Sequence, residues 1–519
     1  MSKSNSELAR NIRWTSIAIL ISRILGLVRE VMMAFFFGAT WVADAFNLAF
    51  TIPNLLRSLF GEGQLTAAFL PIYSDIGVKQ GRAKQINFAL NVLWLLTMLL
   101  TLLSLLGMLF APQLVRLIAP GFQGEVYDLT WKLTRLLFPF LLLIGVSSLL
   151  GPILNAHGHY FIPGLASALF NIGMLGLLGG FYLLYPAEDS ETYVWVFSYG
   201  VLVGGVLQTI INFPLLYKTG YRFRVILKLS GEAMSSLFKR FIPGVVGVGI
   251  RQINLLVDRI LASLLIEGSI SALTYANRLM YLPFSLVGVA TGTVAIAHFS
   301  RHAAEGDWKT LSEKLRFAVF MLIYVMLPVS VVLIVLGQDI LRLLFLRGAF
   351  DARALEMTRT ALVYYALGLV FISLHRVIVT VFYANKDTKT PVKVSVFIVS
   401  LNIVLNLLLM RLMQHAGLAL ATSICSCAQV VIFVVLIRRM IPGVSLPGIG
   451  NTVLKSVTVA AVLTGALLLL EPLYRPESMG GTAIKLAGLL FISTGIVAGG
   501  GIILHIEYVD LFWKKLLRR

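Results

Sequence analysis

Arginines stand in this chain where apolar runs should exclude them. Arg23 and Arg29, with Glu30, interrupt SRILGLVRE. Arg57 follows Asp44, Asn47 and Asn54 in a stretch that ends at GEG with Glu62. Arg278 follows Asn277 in YANRLMYLP, and Asp258 and Arg259 sit in a further run. An arginine near the bilayer midplane costs roughly 2.5–3.5 kcal/mol, so Arg23, Arg29, Arg57 and Arg278 would together cost about 10–14 kcal/mol if deep and unpaired. The planar guanidinium fork suits bidentate contact with phosphate oxygens. Arginines from separate spans that outnumber the nearby acids therefore point to an aqueous cavity with a cationic floor and an anionic ligand, a phosphate or pyrophosphate. Such a cavity argues against a carrier of cationic drugs, which would favour carboxylates. The alternative is internal ion pairing with snorkelling from helix ends: Arg23 and Glu30, seven apart, share a helix face, and Arg259 and Asp258 can bond across helices. Arg23 and Arg29, six apart, diverge on a straight helix, and a break at Gly26 would turn both inward.

A second set offers oxygen rather than nitrogen. Asn402 and Asn406, four apart, share one helical face; Thr422 follows in the next span, and Asp258 is an acid within a span. Such ligands suit a hard cation, sodium; hydrogen bonding between helices is the competing account. Other motifs carry less. GVVGVG at 244–249 has a phosphate-loop look, but within a span it reads as close helix packing. Cys425 and Cys427 read as buried thiols. The histidines are scattered, no Ser/His/Asp set is present, and a polyprenyl-phosphate transferase would need acidic metal-binding motifs that are not seen, so the chain is not expected to be an enzyme.

The elements that must position these groups are helices in lipid. Of 519 residues, 58% are hydrophobic and 13% charged, against roughly 25% charged in a soluble domain, and the deficit runs the whole length. Apolar runs fall at about 14–37, 42–72, 86–111, 131–154, 161–185, 193–217, 240–266, 270–299, 315–336, 360–384, 391–412, 416–437, 452–470 and 483–504, each close to the roughly 20 residues a span requires. The fold class is thus an all-α polytopic membrane protein of about fourteen transmembrane helices. The net charge of +19 fixes topology rather than binding nucleic acid: basic loops (Arg10 and Arg13; Lys79, Arg82 and Lys84; Lys218–Lys228; Lys386–Lys393; Lys514–Arg519) alternate with short or acidic ones carrying Glu188, Asp189, Glu191 and Glu267, which places both termini in the cytoplasm. The loop Gln338–Arg359 is mixed in charge and long enough for a surface helix.

A repeat organises the spans. LVRLIAPGF at 114–122 echoes ILRLLFLRGAF at 340–350, NAHGHYFIPG at 155–164 echoes ANKDTKTPVK at 384–393, and TIPNLL at 51–56 echoes YLPFSL at 281–286. The nearly constant offset implies two six-helix bundles in parallel pseudo-repeat, residues 1–218 and 236–440, joined by a cytoplasmic linker at 219–235. Residues 441–519 add two further helices and a basic tail. Repeats of this kind enclose a substrate site near the midplane.

Taken in order, SRILGLVRE, ADAFNLAFTIPNLLRSLFGEG, LIAPGF, GPILNAHGHYFIP, YANRLMYLP and KDTKTPVK resemble the MurJ/MviN family of lipid II flippases, within the multidrug/oligosaccharidyl-lipid/polysaccharide exporter superfamily. The resemblance covers essentially spans one to twelve. It implies a multi-pass protein of the bacterial inner membrane, acting as a monomer among membrane lipids. Its partner would be lipid II, the undecaprenyl-pyrophosphate-linked disaccharide-peptide, moved by alternating access from the cytoplasmic to the periplasmic leaflet for cell-wall synthesis. A flippase for another polyprenyl-pyrophosphate-linked oligosaccharide, of O-antigen type, is the alternative. By motif, the family's cavity arginines fall on Arg23, Arg29, Arg57 and Arg278 and its acids on Asp44 and Glu62, with Asn54 and Asn277 beside them. The resemblance also supports Na+ at Asp258, Asn402, Asn406 and Thr422 as the one cofactor, and a lipid-tail groove in the last two spans. This chain departs where some members carry acids, having Asn277 and Tyr281 there.

Overall fold

Every apolar run read from the sequence falls on helix among its described residues. The computed structural model describes residues 3–506 except 61–63, 187–188, 223, 442–443, 445–446, 475 and 477, and leaves undescribed the side chains of 3–16, 19, 60, 246, 247, 250 and 251. Packing divides the chain into two compact units, 1–268 and 269–519. The sequence repeat places the start of the second bundle at 236. The helix after the linker, which begins near that point, packs within the first of these compact units.

In the first unit the helices are α1 (Lys3–Phe37), α2 (Trp41–Phe60), α3 (Gln64–Gln80), α4 (Arg82–Leu109), α5 (Ala111–Ile118), α6 (Gly124–Leu137), α7 (Pro139–Ala156), α8 (Phe161–Leu184), α9 (Ser190–Ile210), α10 (Phe213–Lys218) and α11 (Glu232–Ser263). Helices α6 and α7 are one predicted span interrupted at Phe138, where Pro139 cannot donate its backbone hydrogen bond. They pack against α2, α4 and α9, while α8 lies between α1 and α9, and α11 lies on α3 and α2. A polar cluster closes one end of the unit: Tyr73 Oη is 2.8 Å from His157 Nε2 and 2.5 Å from Tyr221 Oη, and Arg82 donates to the Thr219 carbonyl. Burial, and then the nearby Arg82 guanidinium, push the His157 imidazole below its usual range.

The second unit holds α12 (Ser269–Pro283), a π-helical turn Phe284–Val289, α13 (Ala290–Glu305), α14 (Trp308–Val335), α15 (Gly337–Phe345), α16 (Ala352–Ala384), α17 (Lys389–Met413), α18 (His415–Met440), α19 (Ile449–Leu470) and α20 (Met479–Ile503). Here α16 is the unbroken centre, packed by α12, α13, α14, α15 and α18. The order repeats that of the first unit: α4, α5 and α6–α7 correspond to α14, α15 and α16, and α8 and α9 to α17 and α18. Both α5 and α15 are short and two-faced, each with an arginine in its last turn; α15 is the surface helix expected within Gln338–Arg359. Among the described residues, eleven helical segments are long and apolar enough to cross a membrane. The other three predicted runs, α1, the α2–α3 pair and α11, are those carrying Arg23, Arg29, Asp44, Arg57 and Asp258.

Candidate substrate cavity and its charged groups

The two arginines of α1 have different surroundings. The helix runs from Lys3 to Phe37 without a break, and a Cβ on Gly26 would meet nothing within 4 Å. The expected break at Gly26 is therefore absent, and at 100° per residue Arg23 and Arg29 point about 120° apart. Arg23 is exposed and, among the described residues, forms no hydrogen bond or ion pair. Arg29, whose side chain is 17% exposed, lies 2.6 Å from Glu30 Oε1 through Nη2 and donates through Nη1 to Asn171 Oδ1 at 3.3 Å. Asn171, on α8, donates in turn to the carbonyls of Ser22 and Ser167. Glu30 thus pairs with Arg29 rather than with Arg23, because α8 packs on the side of α1 from which Arg29 projects. Asn171 was not singled out from the sequence; its only mark there is one amide in an apolar run.

Asp44 is buried and accepts a 2.8 Å hydrogen bond from the Gly268 amide. The neighbouring Trp41 amide donates to Glu267 Oε1 at 3.0 Å. Gly268 has φ +86°, and a Cβ there would come within 2.2 Å of the Ala39 carbonyl oxygen, so only glycine fits this approach. Asp44 accordingly holds backbone at the end of the first unit, a use that side-chain spacing cannot reveal. Glu62 lies outside the described residues.

Arg57 donates through Nε to Asn54 Oδ1 at 2.8 Å, one turn back on α2. It borders a cavity of about 400 Å³ inside the first unit, walled by α3, α7, α8 and the end of α9. Among the described residues the lining mixes apolar groups of Ile144, Pro152 and Pro163 with the uncharged polar Thr66, Ser147, Ser148, Asn155, Ser167, Gln208 and Asn212, and Arg57 is its charged member. In the second unit Asn277 is half-buried and Arg278 is exposed on α12, shortly before the π-helical turn; such turns recur at functional sites. A fifth arginine that the sequence reading passed over, Arg376, stands within α16, and Gly292 of α13 packs against its stem. Its signal was the His-Arg pair inside the run 360–384.

The oxygen set divides between the units. Asp258 is half-buried on α11, where Asn254 Nδ2 approaches its Oδ2 at 3.4 Å. In the second unit Asn406 Nδ2 donates to Asn402 Oδ1 at 2.9 Å, and Thr422 Oγ1 donates to the Leu418 carbonyl of its own helix. Cys425 is buried and Cys427 partly so, both as free thiols. A further charged group was missed in the sequence. Lys485 of α20, 5% exposed, lies 2.7 Å from Asp339 of α15 and 2.9 Å from Glu471 after α19, fastening the last two helices to the surface helix of the repeat.

Two packed sets of long apolar helices, a common helix order in both, and arginines held inside spans define a polytopic transporter. A sequence model described as "Lipid II flippase MurJ" matches residues 33–487, and the chain belongs to that family. Among its relatives, a "Probable lipid II flippase MurJ" of Rhizobium tropici is 34% identical over 426 residues, 81% of this chain and 79% of that protein. The "Lipid II flippase MurJ" of Burkholderia cenocepacia is 30% identical over 492 residues, 91% of this chain and 94% of that one. A solved structure of "Lipid II flippase MurJ, inward closed conformation" is similar at TM-score 0.76 and 25% identity, covering 97% of this chain and 99% of that one. An inward-facing multidrug resistance MATE family transporter of the MOP superfamily, at TM-score 0.67 and 16% identity, shares the fold.

Proposed function

We propose that this chain moves lipid II from the cytoplasmic to the periplasmic leaflet by alternating access, through fourteen spans with both termini in the cytoplasm. The observation that carries the reading is Arg29: a guanidinium half-buried inside a span and aimed by Glu30 and Asn171. A cation kept there at a cost of a few kcal/mol is suited to a diphosphate, whose oxygens accept from the guanidinium fork. Family membership supports the substrate, and the basic loops support the orientation. In this reading Arg23, Arg57 and Arg278 join Arg29 in holding the diphosphate while the isoprenoid tail stays in lipid. Membrane potential drives the return, one charge being worth about 2.3 kcal/mol per 100 mV. Sodium at Asp258, Asn402, Asn406 and Thr422, and action as a monomer, complete the proposal.

The test is lipid II exposure in cells whose own flippase is replaced by this chain, read with an external enzyme that cleaves only periplasm-facing lipid II. The expected result is wild-type cleavage and a loss of about a hundredfold or more in Arg29→Ala, equivalent to roughly 3 kcal/mol from removal of a buried charged partner. Unchanged cleavage in the Arg29→Ala, Arg278→Ala double variant would sink the mechanism. Protection of lipid II despite correct insertion would move the substrate to another lipid-linked glycan.

A further inference from the structure

The cavity beside Arg57 has a chemistry that diphosphate binding does not use. Gln208 is 8% exposed and lines it, yet among the described residues its side-chain amide makes no hydrogen bond. Asn212, 1% exposed and also on the wall, has an Oδ1 that accepts none. Asn155 adds another amide, Ser148 adds a hydroxyl that donates only to the Gly145 carbonyl of its own helix, and Ser147 reaches the Gln208 carbonyl at 3.4 Å. A buried acceptor such as Asn212 Oδ1 is costly when nothing donates to it, so it and the neutral donors and acceptors beside it on one cavity wall favour a polar occupant. A volume of about 400 Å³ falls within the range of small-molecule sites. Among the described lining residues Arg57 is the charged one, at the edge, and the rest of the wall alternates uncharged hydroxyls and amides with apolar groups such as Ile144, Pro152 and Pro163.

We infer that this cavity, walled by α3, α7, α8 and the end of α9, is a specificity subsite for the uncharged, hydroxyl- and amide-bearing part of the lipid-linked head group, with Arg57 marking its junction with the anionic part. The inference rests on the lipid II reading above and goes beyond it by placing head-group selection inside the first unit. Sugar hydroxyls and acetamido or peptide amides share this chemistry, and the test separates them.

Purified protein in detergent would be titrated with undecaprenyl pyrophosphate, lipid II, lipid II trimmed of its peptide, and phosphatidylglycerol as control. Gln208→Met keeps the side-chain volume and Ser148→Ala removes a hydroxyl without cutting an inter-helix bond; unfolding midpoints establish that both fold. The expected result is a roughly tenfold weaker grip on lipid II in Gln208→Met, a smaller change in Ser148→Ala, and no change for undecaprenyl pyrophosphate. A loss that persists with the trimmed lipid assigns the subsite to the sugars, and a loss that disappears assigns it to the peptide. Equal loss for undecaprenyl pyrophosphate, or no loss for any lipid in folded variants, would overturn the subsite while leaving the transport reading intact. Wild-type protein that prefers none of the lipids to phosphatidylglycerol would overturn both.

Discussion

The two repeats share an order of helices but begin and end those helices differently. At the start of α4 stands Gly81 without a side-chain cap; at the corresponding start of α14 the Asp307 carboxylate accepts from the Thr310 amide. Gln123 before α6 caps nothing, whereas Asp351 before α16 accepts from the Ala354 amide at 2.7 Å. Only before α9 is the bias reversed, where Asp189 caps and its counterpart Gln414 does not. The turn after α7 and the turn after α16 are the same bend: Gly158 bonds to the Asn155 carbonyl and His159 to Leu154, as Lys386 bonds to Tyr383 and Asp387 to Phe382. The left-handed residue is glycine in one and lysine in the other. With the unbroken α16 and the Lys485 clamp, the second repeat is the more firmly fastened. The first keeps an interrupted span, a polar cavity and Arg29. One skeleton thus carries a charged fastening in one place and a polar cavity in the other.

The clamp offers the largest effect with which to break that contrast. Lys485→Met should lower stability by about 2–3 kcal/mol, less than a fully buried pair would because Glu471 is partly exposed. Thermal unfolding in detergent would read it, with partial recovery in Lys485→Met combined with Asp339→Leu; an unmoved midpoint would remove the fastening from the account. Next, Gly158→Lys should cost about 1–2 kcal/mol, the left-handed penalty for a side chain, since a Cβ there meets no atom. Lys386→Gly should be neutral or gain up to about 1 kcal/mol, and matching losses at both sites would show that the bends are not equivalent. Asp351→Ala should cost about 1 kcal/mol while Gln123→Ala costs close to nothing, measured by hydrogen exchange at the starts of α16 and α6. The smallest effect is on pH. His157 is held neutral, its value depressed in the folded chain, so its contribution is complete above the ordinary value of 6.5 and fades as pH falls below it. Asn385 occupies the corresponding place in the second repeat and does not titrate. His157→Asn should flatten the dependence of unfolding on pH below the ordinary imidazole value of 6.5.

Spans, repeat and surface helix were legible because each rests on a local pattern: apolar length, a constant offset, or the mixed charge and length of the loop Gln338–Arg359. The arginines were legible as misfits against that pattern. Their partners were not. Nothing in the spacing of Arg29 selects Glu30, its immediate neighbour, over other acids, since the choice depends on where α8 lies. Asp44 accepts from the Gly268 backbone amide, a donor that any residue supplies and that side-chain spacing therefore cannot indicate. Lys485 and Asp339 are far apart in sequence and each looks like an ordinary end-of-helix charge, while Gln208 and Asn212 are unremarked amides until four helices surround them.

The Lys485 clamp also imposes a timetable on synthesis. Asp339 leaves the ribosome roughly 150 residues ahead of Lys485, which at about 5–20 residues per second is on the order of ten to thirty seconds. During that interval the second repeat is completed while Asp339, and near its end Glu471, lack the cation that α20 brings. A nascent chain stalled before Met479 would present those carboxylates to the insertion and quality-control machinery, a built-in report of whether the last helix has arrived.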